Sequence, residues 1–237
     1  MLTQLTSFAT IGLKSEKITV EIGATPGEGI MTIVGLGDTA VQESKQRVRH
    51  ALRASGYRIK SGSDITINLA PADVKKIGPR YDLPIALGVL LVHQLIDVAP
   101  EKVASMAFLG ELALDGSLRH VSGVLPAAIA CRDQGVGTIV VPVMNGPEAA
   151  LVPGLNVIAV AHITELIDIK EGQILKTAAG RAEVLLTPGA FLRMADELVS
   201  RAEAIANRFG AFGEIGQNPN APMSDLEQKV FRADRKS

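Results

Sequence analysis

Lys45, Arg49 and Arg53 recur at intervals of four, and Arg58 and Lys60 follow within a few residues. Side chains four apart on a helix project along one stripe, so these cations form a row that can track a phosphate backbone. Lys75, Lys76 and Arg80 occupy a later loop and extend the row if the fold brings the two segments together. The chemistry is electrostatic: each phosphate neutralised releases condensed counterions, which makes binding independent of sequence and sensitive to salt. A solvated charged helix face accounts for the same row equally well. With a net charge of −1 over 237 residues, any attraction for nucleic acid has to come from such a local patch. Aromatic residues make up 3% and Trp is absent, which argues against a platform for stacked bases.

Other chemistries have partial signatures. Gly35-Leu36-Gly37-Asp38-Thr39-Ala40 fits the G-x-G-x-x-A dinucleotide fingerprint. The ribose-binding carboxylate expected about 20 residues on is missing around Ser55, although Arg53 or Arg58 can serve a 2′-phosphate in an NADP-type site. A structural account is simpler: the two glycines allow a tight turn and Asp38 caps a helix. His50, His93, His120 and His162 are dispersed and Cys131 stands alone, so no metal centre is expected. Cys131 lies in an apolar helical stretch and should be a buried, inert thiol. No Gly-Lys pair occurs, hence no P-loop, and the chain by itself is not expected to hydrolyse ATP.

The elements that must position these residues follow from turn and period signals. Lys17 to Ala24 and Ile30 to Val34 are β-branched runs separated by TPGEG and read as paired strands. From Asp38 to Ala54, Val41, Ser44, Val48, Ala51 and Leu52 share one helical face. Asp38 or Thr39 supplies the N-cap, Gln42 is placed for a capping box, and Ser55-Gly56 ends the helix. Asp64 to Leu69 is a strand, PADVKKIGPRYD a loop, and Leu83 to Leu95 a buried apolar helix. Asp115-Gly116 predicts a two-residue type I′ hairpin between ELAL and SLRHV. A helix (124–134), strand (138–142), short helix (146–151), strand (156–160) and helix (164–169) follow, which implies an α/β fold with a mixed sheet and packed helices. Beyond Gly172 the pattern changes. Phe191, Ala195, Leu198, Ala202, Ile205 and Phe209 predict an amphipathic C-terminal helix, and the Pro/Asn-rich residues from about 213 onward predict disorder. The expected organisation is a domain over 1–170, a helical appendage over 171–212 and a tail over 213–237. Hydrophobic residues at 47% suffice for a core, while the apolar stretches fall short of the 18 or so residues of a membrane span. The N-terminus has no signal-peptide pattern, so a cytoplasmic protein without membrane contact is expected.

Three separated stretches carry a family likeness. They are VGLGDTAVQESKQRVRHAL (34–52), ITINLAPADVKKIGPRYDLPIALGVL (65–90) and FLGELALDGSLRHVSGVLPAA (108–128). In order and spacing they closely resemble the N-terminal domain of the ComM or YifB family, the magnesium-chelatase-related competence ATPases, over roughly residues 8 to 168. The resemblance implies a Lon-protease-like, ribosomal-protein-like two-layer α/β domain. It also implies that the peptidase nucleophile position falls on Ile85, within Asp82-Leu83-Pro84-Ile85-Ala86, and the base position on Leu125, within Gly123-Val124-Leu125. Neither aliphatic side chain can transfer a proton, so a filled-in cleft is preferred to a relocated site using His120 and Ser122. In similar members proline usually stands at the place of Gly37, which weakens the phosphate-approach reading. ATP and Mg are implied only for the AAA+ module that follows in the family, and no cofactor for this chain. The implied partners are DNA, a second copy of the chain, or a separate AAA+ ATPase subunit. The implied role is in DNA recombination or natural transformation, with a protein-assembly adaptor that does not touch DNA as the rival.

Overall fold

A computed structural model of the chain describes residues 2–12, 14–96, 98, 100–168, 173–176 and 183–186. It opens with two long antiparallel strands, β1 (Leu2–Ile11) and β2 (Lys14–Pro26). In β2 the period of two is plain, with Ile18, Val20 and Ile22 fully buried between less buried Thr19 and Glu21. β1 carries no such signal in its sequence, because Leu5 to Ala9 are buried without interruption. Leu5 and Ala9 pack into one core and Phe8 into another, as expected of a strand covered on both faces.

β3 (Met31–Val34) does not pair with β2, contrary to the hairpin read from TPGEG. The helix α1 (Thr39–Ala54) intervenes before β4 (Ser63–Ala70), and a strand-helix-strand connection favours parallel neighbours. β4 accordingly lies between β2 and β3, parallel to β3 with Ile33 opposite Ile67. The buried face of α1 is Val41, Ser44, Val48, Ala51 and Leu52, as the spacing predicts. Asp38 is its N-cap, the carboxylate accepting from the Val41 N–H at 2.9 Å. Gln42 closes no capping box; its Nε2 donates to the Ile33 carbonyl instead.

α2 (Asp82–Val92) is buried on every side, consistent with its uniformly apolar sequence. α3 (Pro100–Ala104) leads to β5 (Met106–Phe108), which runs parallel to β1. β6 (Glu111–Leu112) and β7 (Leu118–Arg119) form the hairpin around Asp115-Gly116. Its loop differs from the type I′ expectation. The Ala113 N–H donates to the Ser117 carbonyl, leaving three loop residues, and of these only Gly116 has positive φ, at 95°. That is a turn followed by a left-handed glycine, and the extra residue relieves Asp115 of the left-handed conformation. α4 (Val124–Asp133), β8 (Thr138–Pro142), α5 (Gly146–Ala149) and β9 (Asn156–Val160) follow as read from the sequence. Residues Ile163–Asp168 form a 3-10 rather than an α-helix. Cys131 is buried in α4, and burial pushes its thiol up to about 12.

The sheet continues past residue 170, where an appendage was expected. β10 (Gln173–Lys176) pairs antiparallel with β11 (Glu183–Leu186), and β11 pairs parallel with β9. The order across the nine strands is β10-β11-β9-β8-β5-β1-β2-β4-β3. α1 and α2 cover one face, and α4 and α5 contribute to a second core on the other. The fold is therefore mixed α/β, with helices packed on a mixed sheet as expected. Helices lie on both faces of β1 and β2, α2 on the side of one core and α4 on the side of the other. The expected helix at 191–209 and the tail from 213 lie outside the described residues.

Candidate nucleic-acid interface

Arg49 and Arg53 sit one turn apart on the C-terminal half of α1. Gly56, with φ 85°, turns the chain away from the helix end, and Tyr57 to Lys60 run back towards β4. On the opposite side the Glu28-Gly29 turn approaches. The result is a cavity of about 760 Å³ bounded by Arg49, Arg53, Arg58, Lys60, Glu28 and Tyr57, with Met31, Ile59 and Ile65 among its apolar walls. Four of the eight cations singled out by sequence line one concavity.

Its rim is held by contacts between distant parts of the chain. The Arg49 Nη2 donates to the Gly29 carbonyl at 2.9 Å. The Asp64 carboxylate accepts from the Gly29 and Ile30 N–H groups at 2.9 and 2.8 Å, and the Gly27 N–H donates to the Gly62 carbonyl. A Cβ at Gly27 would lie 2.1 Å from the Asp64 carboxyl carbon, so the turn closes this tightly only with glycine. These partners lie 34 or more residues away, which hides the Asp64 contribution from the local sequence signal. Glu28 is the one carboxylate in the lining, and among the described residues no ion pair engages Arg49, Arg53, Arg58 or Lys60. Four cations facing one carboxylate, around a hollow, favour an anionic ligand. Lys45, partly buried, stands one turn before Arg49 on the same stripe and outside the cavity lining.

The remaining cations do not join the row. Lys76 is fully buried, its Nζ donating to the Pro71 carbonyl, and burial lowers its pKa. Its backbone is stitched to the N-terminal end of α1, the Lys76 N–H donating to Leu36 and the Asp38 N–H to Lys76. Arg80 is 9% exposed and donates to Thr10 Oγ1 at 2.8 Å. Lys75 is exposed in the same loop. That loop meets the N-terminal end of α1, roughly 20 Å along the helix from the cavity end. The expectation that Lys75, Lys76 and Arg80 extend the stripe is thus corrected by the path of the loop.

The dinucleotide fingerprint has a structural explanation here. Asp38 already occupies the N-terminus of α1, with its second oxygen accepting from the Gly78 N–H at 3.0 Å. Gly35 has φ 99°, and a Cβ there would stand 2.5 Å from the Leu69 carbonyl oxygen, so its role is close approach to β4. A pyrophosphate would have to displace both the carboxylate and the overlying loop.

At the peptidase positions, Ile85 is fully buried in the first turn of α2. Leu125 lies in the first turn of α4, partly buried, and its backbone N–H donates to Glu148 Oε1 at 2.8 Å. His120 and Ser122 are exposed, and no hydrogen bond joins them among the described residues. Sequence reasoning missed the ion pair beneath α1. Arg47 donates from Nε and Nη2 to Asp82 at 2.7 and 3.1 Å, and the Leu112 N–H donates to the same carboxylate. Burial raises the Asp82 carboxyl above its usual range, and Arg47 and Ser44 pull it back. No described helix is long and apolar enough to cross a membrane.

The family model described as subunit ChlI of Mg-chelatase matches residues 20–145. Competence protein ComM of Haemophilus influenzae is 35% identical over 167 residues, covering 70% of this chain and 32% of that protein. The uncharacterized protein YifB of Escherichia coli is 38% identical over 165 residues, with the same coverage of 70% and 32%. A Lon protease of Roseiflexus castenholzii is 28% identical over 159 residues, 62% of this chain and 19% of that protease. The chain thus spans less than half the length of the relatives it matches. With its mixed α/β sheet and these matches, it belongs to the family of Mg-chelatase subunit ChlI, among the ComM- and YifB-related proteins.

Proposed function

We propose that this chain is a non-catalytic, DNA-contacting domain of a Mg-chelatase-related competence system. Arg49, Arg53, Arg58 and Lys60 hold the phosphate backbone, and Lys45 extends the contact along α1. The observation that carries the reading is the cavity in which these four cations face one carboxylate. Ile85 and Leu125 support the absence of peptidase chemistry, since neither side chain can attack a carbonyl or move a proton. In this reading the domain works in the cytoplasm during recombination or transformation. It binds no cofactor of its own and acts beside a second copy or a separate AAA+ ATPase subunit that uses ATP and Mg. The name of one relative, competence protein ComM of Haemophilus influenzae, supports a setting in transformation.

The test is fluorescence anisotropy with forked and duplex DNA at low salt. The wild type should bind with micromolar or weaker affinity at physiological salt, and an Arg53→Glu, Arg58→Glu variant should bind at least tenfold more weakly, as expected for the loss of about two phosphate contacts. Equal binding by the two proteins, with unchanged circular dichroism, would sink the reading in favour of a protein-assembly role.

A further inference from the structure

The cavity has a shape as well as a charge. The phosphates of a duplex lie along rails on a convex rod, and a flat or gently curved basic surface suffices to follow them. A hollow of about 760 Å³ falls instead within the size range of small-ligand sites, about 300 to 1,000 Å³. Its lining combines the cations with one aromatic ring, Tyr57, and with apolar walls, the pairing of groups that suits a base or sugar attached to a phosphate.

A second observation lies across the Lys60–Ser63 turn. A smaller cavity of about 370 Å³ shares Lys60 and that turn with the first, and His93 lines it. His93 is only 5% exposed, and its Nε2 has no hydrogen-bond partner among the described residues. A buried imidazole nitrogen without a partner calls for an explanation, and His93 places one in the wall of this second hollow. Lys60 lines both hollows, so an anion beside it is within the surroundings of the arginines on one side and of His93 on the other.

We propose that the two adjoining cavities bind a nucleoside 5′-phosphate, free or at the end of a single DNA strand, with its phosphate held by Arg53, Arg58 and Lys60. This rests on the reading of the cavity as a phosphate contact and narrows it from duplex backbone to a strand terminus or nucleotide. Arg49 is tethered to Gly29 and shapes the rim, while Arg53, Arg58 and Lys60 are exposed and unpaired among the described residues. A terminal phosphomonoester carries about one charge more than a phosphate inside the strand, which such a cluster of cations rewards.

The experiment compares a 3′-labelled thymidylate hexamer bearing a 5′-phosphate with the same hexamer bearing a 5′-hydroxyl, by anisotropy with the full chain. The phosphorylated strand should bind about tenfold more tightly, and an Arg53→Ala, Arg58→Ala variant with unchanged melting should bring the two within about twofold. Titration with thymidine 5′-monophosphate distinguishes the sources. A free nucleotide that binds as tightly as the strand assigns the site to nucleotides, and one that binds far more weakly assigns it to strand ends. Equal affinity of the wild type for both hexamers, a preference that survives in the variant, or no binding of either hexamer or of thymidine 5′-monophosphate overturns the proposal. Salt-dependent duplex binding by the same protein would leave the broader DNA contact standing in the first two cases.

Discussion

The cations of α1 have unlike roles despite their shared charge. Arg49 and Arg53 reach the cavity, whereas Arg47, two positions before Arg49, turns inward to a carboxylate that is fully buried. Arg47→Ala would leave Asp82 buried without its partner. The loss should be about 3 kcal/mol, at the lower end for a broken buried pair, because burial already raises the Asp82 carboxyl and protonation offers a partial escape. Urea denaturation checks this, and a double variant with Asp82→Asn should lose less than the sum of the single changes. Losses that simply add would contradict the coupling. At this scale the sequence displayed Arg49, Arg53, Arg58 and Lys60 through spacing alone. It did not separate them from Lys76 and Arg80, because the burial of those two depends on a loop crossing to residues 36–38 and to Thr10.

At the scale of elements, α1 was legible to its ends because cap, buried face and terminating glycine are all local signals. β1 was not, since burial on both faces erases the period of two, and the pairing of β3 was misassigned because its partner arrives only after a helix. The same pairing leaves β3 at the edge of the sheet. Val34, Leu36 and Ile77 are exposed there, Leu36 at 52% and Ile77 at 50%. An open strand edge flanked by apolar side chains is prone to pair with another chain. We therefore expect self-association to increase with concentration, and Leu36→Asp to shift the chain towards monomer. Light scattering up to about 100 μM checks it, because weak association of this order is visible there. A wild type that stays strictly monomeric contradicts self-association through this edge.

For the whole molecule, the net charge of −1 makes long-range attraction to DNA weak and leaves the work to one hollow on one end of α1. The family likeness supplies the setting, and the concavity supplies the specific proposal. The most direct measurement is the slope of log affinity against log salt for duplex and forked DNA. Three to five phosphate contacts predict a slope of roughly −2.7 to −4.5 for the wild type. Each cavity arginine replaced by glutamine should reduce its magnitude by about one, and replacing Lys75 should leave it unchanged. A slope near zero, or one unaffected by replacing Arg53 and Arg58, would show that the cavity does not hold phosphates.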